Sequence, residues 1–286
     1  MKLFWVLAVA AVMSGCMYVS GSAEGESTMH VAAIDVGQGL AVLLEYDGRY
    51  AMYDFGPDSV GVVDSLLKRG VDTLEWVVLS HNHRDHIGGF LELAGRGVFV
   101  RQLYVGPDTA GAFFRDSVLR VARALGTPID TLLRGGNVSF WGGGNGSAGG
   151  ECPRFEVLWP ASYLRVGENR ASVVLLGKFG ASKMLLTGDL DSVGERQLLE
   201  MNPTLSAELL QVAHHGSAGS NTLSFLSQVS PKYAFVSVGK GNRYGHPALS
   251  VVRKLNLVLG DSTKLYRTDL QGSVRFELSP SMGVLP

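Results

Sequence analysis

"LSHNHRDHIGG", residues 79–89, places three histidines and an aspartate in six consecutive positions of a chain that has seven histidines in all. It continues "LEWVVLS" (74–80), an apolar run of strand length without polar alternation, the pattern of a strand buried on both faces. A loop leaving such a strand lets His81 and His83 point one way while Asp85 and His86 reach a second point. Neutral imidazole with carboxylate is a donor set for zinc or manganese, and this spacing accommodates two adjacent divalent ions more easily than one. A closed structural zinc site takes four ligands, usually thiolates, whereas mixed His and Asp with an open position suits catalysis.

N-terminal to this stretch, "HVAAIDVG" (30–37), "GLAVLLEYDG" (39–48) and "RYAMYDFG" (49–56) are apolar runs bounded by glycine, which predicts a meander of strands. "SVGVVDSLLKRG" (59–70) and "DSVLRVARALG" (116–126) carry apolar residues at helical spacing, and "GGNVSFWGGGNGSAGGECP" (135–153) reads as a flexible Gly-rich excursion. The second half then repeats the first. "ASVVLLGKFGASKMLLTGD" (171–189) mirrors the strand, turn and strand of 40–56, and "SAELLQVAHHGSAGS" (206–220) mirrors the strand that delivers the histidine loop. "KYAFVSVG" (232–239) predicts a further strand, "ALSVVRKLNLVLG" (248–260) a helix and "KLYRTDLQGSVRFEL" (264–278) a hairpin. Such a duplication implies two sheets face to face, helices outside, and strand-end loops meeting along one edge.

The repeat gathers the remaining chemistry. His214 and His215 stand in the mirrored loop and His246 in "YGHP", so six of the seven histidines fall in three loops. Asp189 ends an apolar strand, where a carboxylate is costly unless paired or metal-bound, and it is the natural bridge between two cations. Aligning "VVLSH" with "LQVAH" favours His214 as ligand and leaves His215 for work on the substrate or in support of the ligands. Asp85 is placed to orient the nucleophile. Asp35 and Asp54 read as structural supports that bond backbone or steady the metal loop, and "DVGQG" as a tight turn rather than a phosphate loop.

With 46% apolar residues and a formal net charge of −1, the chain buries a large core and is no general nucleic-acid glove. Yet 209–260 contains no Asp or Glu while carrying Lys232, Lys240, Arg243, Arg253 and Lys254, a basic margin that favours an anionic substrate. Its aromatics, Tyr233, Phe235 and Tyr244, are too few to predict a base-stacking platform. "MKLFWVLAVAAVMSG" followed by Cys16 reads as a signal peptide whose junction resembles a lipobox, residues 1–16, which would make Cys16 the lipidated residue of an exported, membrane-anchored protein, with ordinary secretion as the alternative. Residues 17–28 form a tether and 29–286 one domain, in which Cys152 is left without a disulfide partner.

In this order, "DVGQG", "YDFG", "LSHNHRDHIGG", "ENRASVVL", "LLTGD", "AHHGSAGS", "GNRYGHP" and "YRTDLQGSVRFEL" resemble the metallo-β-lactamase superfamily, specifically the hydrolase domain appended to the ComEC/Rec2 DNA-uptake channel. The likeness covers nearly everything from residue 30 to 278. It implies an α/β fold, a four-layer αβ/βα sandwich with two face-to-face mixed β-sheets and helices outside, with a dinuclear site on its edge. It also implies metal roles for His81, His83, Asp85, His86, Asp189 and one of the 214–215 pair. Leu40 stands where relatives carry an acidic residue, and no histidine lies between 87 and 213, where the superfamily has a further histidine motif. "ENRAS" occupies that place and puts Asn169 and Ser172 near the site. The channel's membrane helices are absent from these residues, so transport does not carry over.

The resulting expectation is an exported hydrolase, a phosphodiesterase or nuclease that draws hydroxide from two divalent ions, Zn or Mn, and acts on DNA or another phosphodiester. Asp85, His215 and His246 would be catalytic, and Asn169, Ser172, Ser217 and Arg243 would contact the substrate. The alternatives are a hydrolase of lactones, thioesters or β-lactams, and a non-catalytic DNA-uptake accessory lipoprotein.

Overall fold

The computed structural model describes residues 28–107, 112–140, 152–163, 169–281 and 283–286. The signal peptide, Cys16 and all of the tether but Thr28 lie outside the described residues.

Strands β1 (Met29–Ala33), β2 (Ala41–Tyr46) and β3 (Arg49–Phe55) form the expected antiparallel meander. The chain continues through α1 (Val62–Lys68), β4 (Thr73–Leu74) and β5 (Trp76–Leu79), which lies parallel to β3. A single turn α2 (Arg84–Ile87), β6 (Phe99–Val100), β7 (Leu103–Val105), α3 (Ala112–Ala124) and β8 (Ile129–Thr131) complete the first half. The second half contains β9 (Asn137–Ser139), β10 (Arg154–Trp159), β11 (Val174–Phe179), β12 (Ser182–Leu186), α4 (Ser192–Met201) and β13 (Leu209–Gln211). It proceeds through α5 (Leu223–Val229), β14 (Tyr233–Val236), α6 (Leu249–Leu259) and β15 (Leu265–Arg267). After α7 (Thr268–Gln271), β16 (Val274–Ser279) and β17 (Gly283–Leu285) return to the first sheet.

One sheet runs β17-β16-β1-β2-β3-β5-β7-β8 and the other β15-β14-β13-β12-β11-β10-β9, with β4 and β6 as a small ribbon. Period-two alternation decides which face each side chain covers until the left-handed Asp54, φ 58°, turns Phe55 to the face opposite Tyr53. From β3 and β5, Ala51, Tyr53, Trp76 and Val78 enter the core between the sheets, while Met52, Phe55, Val77 and Leu79 turn to the core beneath α1 and α3. A third apolar cluster, which includes Leu198, Phe225 and Leu255, seals the outer face of the second sheet under α4, α5 and α6. Fully burying one such Leu or Phe contributes about 1.5–3 kcal/mol, so the three apolar clusters bind the layers to one another. Leu40 belongs to the inter-sheet core at 1% exposure, which suits an apolar residue at that position.

The internal repeat is exact in register. Ala51 pairs with Trp76 and Met184 with Leu209, the same twenty-five-residue step between parallel strands in both halves. Two expectations change. The stretch 264–278 is a crossover rather than a hairpin: β15 pairs with β14 in the second sheet and β16 with β1 in the first. The reason is the buried Thr268 hydroxyl, which accepts the Val238 amide at 2.8 Å and donates to the Val238 carbonyl at 2.9 Å, pinning α7 where a hairpin would need a free turn. The Gly-rich excursion opens with an ordered strand, β9, which pairs with β10; residues 141–151 lie outside the described residues.

Candidate metal centre

Parallel strands collect functional groups at their carboxyl ends. β5 ends at the loop carrying His81 and His83, α2 presents Asp85 and His86, Asp189 follows β12, and His214 and His215 follow β13. His30 alone lies elsewhere, on β1 with its Nδ1 3.4 Å from Glu277.

Asp189 is the hub, 2% exposed. Its carboxylate lies 3.1 Å from His86 Nε2, 3.8 Å from His81 Nε2, 3.6 Å from His214 Nε2 and 3.7 Å from His215 Nε2. The Asp189 amide donates to Ser172 Oγ at 3.1 Å. Ser172 is therefore a fully buried support for Asp189, not the substrate contact that the sequence suggested.

The imidazoles are aimed by their other nitrogens. His86 Nδ1 is 2.6 Å from Asp54 Oδ2, and His215 Nδ1 donates to the Ser237 carbonyl at 2.8 Å. Ser80 Oγ donates to Asp54 Oδ2 at 2.7 Å and so accepts from His81 Nδ1 at 2.9 Å. In the neutral rings these partners assign the proton to Nδ1 and turn three Nε2 lone pairs inward. His81 Nε2 and Asp189 Oδ1 are buried without a hydrogen-bond partner, and His86 Nε2 faces His215 Nε2 at 3.3 Å. Buried lone pairs facing each other with no donor between them are what a divalent cation would satisfy. Two overlapping sets have ligand atoms within 4.8 Å of one another: His81, His86 and Asp189, and Asp85, His86 and His215.

The repeat register equates His81 with His214, yet His215 is the member that joins Asp85 and His86, while His214 Nε2 stands 3.6 Å from Asp189. Both residues take left-handed backbone, φ 52° each, and this double twist turns His215 inward and leaves His214 27% exposed. Non-glycine residues in this region are strained and persist only when the surroundings hold them. Here Asn221 provides that hold, its Oδ1 accepting the Ala213 amide at 3.0 Å and its Nδ2 donating to the Ala213 carbonyl at 2.8 Å. Buried Glu195 in turn accepts the amides of Asn221 and Thr222. Gln211 bonds Thr187 and the Gly188 carbonyl, joining the Asp189 turn to the same loop. Sequence reading missed Ser80, Gln211, Glu195 and Asn221; their one signal was a polar residue in or beside an apolar run.

Of the other expected residues, the His83 ring lies 4.6 Å from that of His81, and Asn169 Nδ2 lies 3.4 Å from His214 Nδ1 with its Oδ1 buried and unpartnered. His246 stands further out, its ring 5.8 Å from His214. Ser217 turns back on its own loop, accepting the Gly219 amide at 3.3 Å, and is not drawn into the group. Asp54 and Asp35 both act as the expected supports, Asp54 behind His86 and Asp35 by accepting the Gly37 amide at 3.1 Å within the "DVGQG" turn. That turn nonetheless touches the centre: the Leu40 amide donates to the Asp85 carbonyl at 3.1 Å, and a side chain at Gly39 would collide with the same oxygen.

Burial pulls the His86 imidazolium down, but the carboxylates of Asp189 and Asp54 outweigh it and hold the group well above the usual range. His215 is likewise opposed by burial and raised overall by Asp189 and Asp85. Burial would raise the carboxyl of Asp189; His86 and His215 reverse that and keep it ionised. In His81, burial and neighbouring His86 push the pKa well down. Below these raised values the His86 and His215 rings take up a second proton, on Nε2, and an entering cation must displace it. Apparent metal affinity should therefore rise with pH through the raised His values. Calorimetric titrations at pH 7 in buffers of different ionisation enthalpy should report net proton release; identical heats in all buffers would contradict this protonation pattern.

The Metallo-beta-lactamase superfamily model matches residues 34–240. The chain belongs to this superfamily. It is 29% identical to ComE operon protein 3 of Bacillus subtilis and 32% identical to competence protein ComA of Neisseria gonorrhoeae, in each case over 93% of this chain and 35% of the relative. It thus spans about a third of the length of these curated relatives. Among solved structures, the metallo-beta-lactamase fold protein YhfI from Bacillus subtilis aligns with TM-score 0.56 and 12% identity over 88% of this chain and 100% of that one. A metal-dependent hydrolase of the beta-lactamase superfamily aligns with TM-score 0.54 and 16% identity over 88% of this chain and 99% of that one. At these identities the likeness is one of metallo-β-lactamase fold.

Proposed function

We propose that this centre hydrolyses a phosphodiester. The observation that carries the reading is the charge of its open side: 209–260, which supplies His214, His215 and His246, contains no carboxylate, and the exposed loop beside His246 carries Lys240 and Arg243. The basic margin is narrower than the sequence suggested. Lys232 is paired with Glu208, and Lys254 Nζ donates to the Asn221 carbonyl at 2.5 Å.

Divalent ions such as zinc or manganese, held by His81, His86, Asp189, His215 and Asp85, would supply an activated water and charge neutralisation; a second ion would draw also on His83 and His214. Asp85 is kept ionised: burial opposes this but the hydrogen bond from His215 wins. Its Oδ2, 3.4 Å from His215 Nε2, is the group suited to orient the attacking water and accept its proton. Both His215 nitrogens are committed, so the leaving-group side falls to His246, and Arg243 and Lys240 would hold the anion. The leader, Cys16 and the tether support an extracytoplasmic, lipid-anchored location, with a DNA-uptake accessory role as the reading that needs no turnover. Labelling with a lipid precursor should mark wild type and not Cys16→Ala.

Metal-loaded protein should hydrolyse bis(p-nitrophenyl) phosphate well above the rate with chelator, and leave nitrocefin and a lactone panel unchanged. Turnover of the carbonyl substrates alone would replace this reading with the carbonyl one, and turnover of none would favour a non-catalytic role.

A further inference from the structure

Loop 239–247 leaves the end of β14 and is tied into one shape by a single side chain. Asn242 Nδ2 donates to the Gly239 and His246 carbonyls at 3.0 and 2.6 Å, and its Oδ1 accepts the Tyr244 and His246 amides at 3.2 and 3.0 Å. These four bonds use both donors and both acceptor sites of the amide, so the loop is ordered before any ligand arrives.

The groups it holds step outward from the centre. His214 neighbours Asp189, the His246 ring lies 5.8 Å from His214, and the Tyr244 ring lies 5.7 Å from His246 with planes 24° apart. Tyr244 is 54% exposed at the rim of a polar site. Arg243 sits against it, its guanidinium 5.0 Å from the ring centre and donating to the Tyr244 hydroxyl at 2.9 Å. The same loop borders a cleft of about 670 Å³ lined by Gln38, Gly239, Lys240, Asn242, Thr268 and Leu270 among others. The two carboxylates at this cleft are occupied, Asp269 by Arg267 and Asp35 by the Gly37 amide, while Lys240 has no ion-pair partner among the described residues. The volume falls in the range of small-ligand sites, roughly 300–1,000 Å³.

We infer that loop 239–247 is a base-reading element: an unpaired nucleobase beside the scissile phosphodiester takes the place of the exposed Arg243 guanidinium over the Tyr244 ring, and the released Arg243 and Lys240 hold the flanking phosphates. This rests on the phosphodiester reading of the centre and narrows its substrate to nucleotides. A tyrosine face accepts any base, because every base has a π-face, and cations alternating with it track a phosphate backbone. A duplex keeps its bases paired and stacked on one another, so the shelf admits a single strand. Asn242 acts through Tyr244 and is a positioning residue.

The test uses the full 286-residue chain and fluorescently labelled oligothymidylate beside an abasic strand of the same length, titrated by anisotropy in chelator so that neither is cut. Wild type should bind the base-bearing strand about tenfold more tightly than the abasic one, the scale of one base–aromatic stack. Tyr244→Ala should erase that preference and Tyr244→Trp should retain it. Tyr244→Ala keeping the preference, or wild type showing none, would overturn the assignment. Restoring Zn²⁺ or Mn²⁺ separates the two claims. Strand cleavage by a wild type without base preference would sink the shelf and leave the phosphodiester reading, whereas base preference without cleavage would sink hydrolysis and leave the shelf.

Discussion

Asp189→Ala is expected to empty the centre and end hydrolysis together, with turnover reduced by about 10³-fold or more, the scale of removing a principal electrostatic group. Every inward Nε2 faces this one carboxylate, and one of its oxygens, Oδ1, is buried without a hydrogen-bond partner. Its loss removes a ligand and also the charge that balances His86 and His215, whose Nε2 atoms would then confront each other at 3.3 Å. Metal analysis after gel filtration should find the variant depleted where wild type is loaded. Asp189→Asn keeps shape without charge and should fail nearly as badly, while far-ultraviolet circular dichroism reports the fold of both. A variant that retains metal and turnover would show that Asp85 and His215, not Asp189, organise the centre.

Asp54→Ala should lower stability by about 3–5 kcal/mol, the cost of breaking a buried ion pair by removing one partner. Asp54 is fully buried, and its carboxylate accepts the Ser80 amide at 2.6 Å, the Ser80 hydroxyl at 2.7 Å and His86 Nδ1 at 2.6 Å. Removing it strands all three groups and unlocks the ring orientation of His86 and, through Ser80, of His81. Metal affinity should fall about 10–100-fold, the usual effect of losing a carboxylate behind a ligating histidine. Asp54→Asn can still accept the Ser80 amide but offers its NH₂ to the His86 donor, so it should fall between wild type and Asp54→Ala in denaturant midpoint. Chemical denaturation and competition with a chromogenic chelator measure the two effects separately; unchanged values in Asp54→Ala would show that the relay through Ser80 carries no energy.

Much of this was legible in the chain itself. The unbroken apolar run of β5, the glycine-bounded strands before it and the echo of both in the second half specified paired sheets and the edge on which the loops meet. Clustered His and Asp at strand ends specified the kind of chemistry. Those features are local: they depend on period-two burial and on the reach of residues a few positions apart.

Orientation and partnership were decided only in three dimensions. The repeat register pointed to His214, but two consecutive left-handed residues turn His215 inward beside His86 and leave His214 part-exposed, 3.6 Å from Asp189, an arrangement made by backbone dihedrals that no spacing encodes. His86 meets His215 across 129 residues and Asp54 across 32, so their mutual aim depends on how the sheets pack. The same holds for Ser172 supporting Asp189, for the crossover into β16 that Thr268 pins, and for Tyr244, whose exposure beside His246 appears only once Asn242 has folded its loop. Side-chain chemistry was written in the residues themselves; the direction in which each side chain acts was set by contacts distant in sequence.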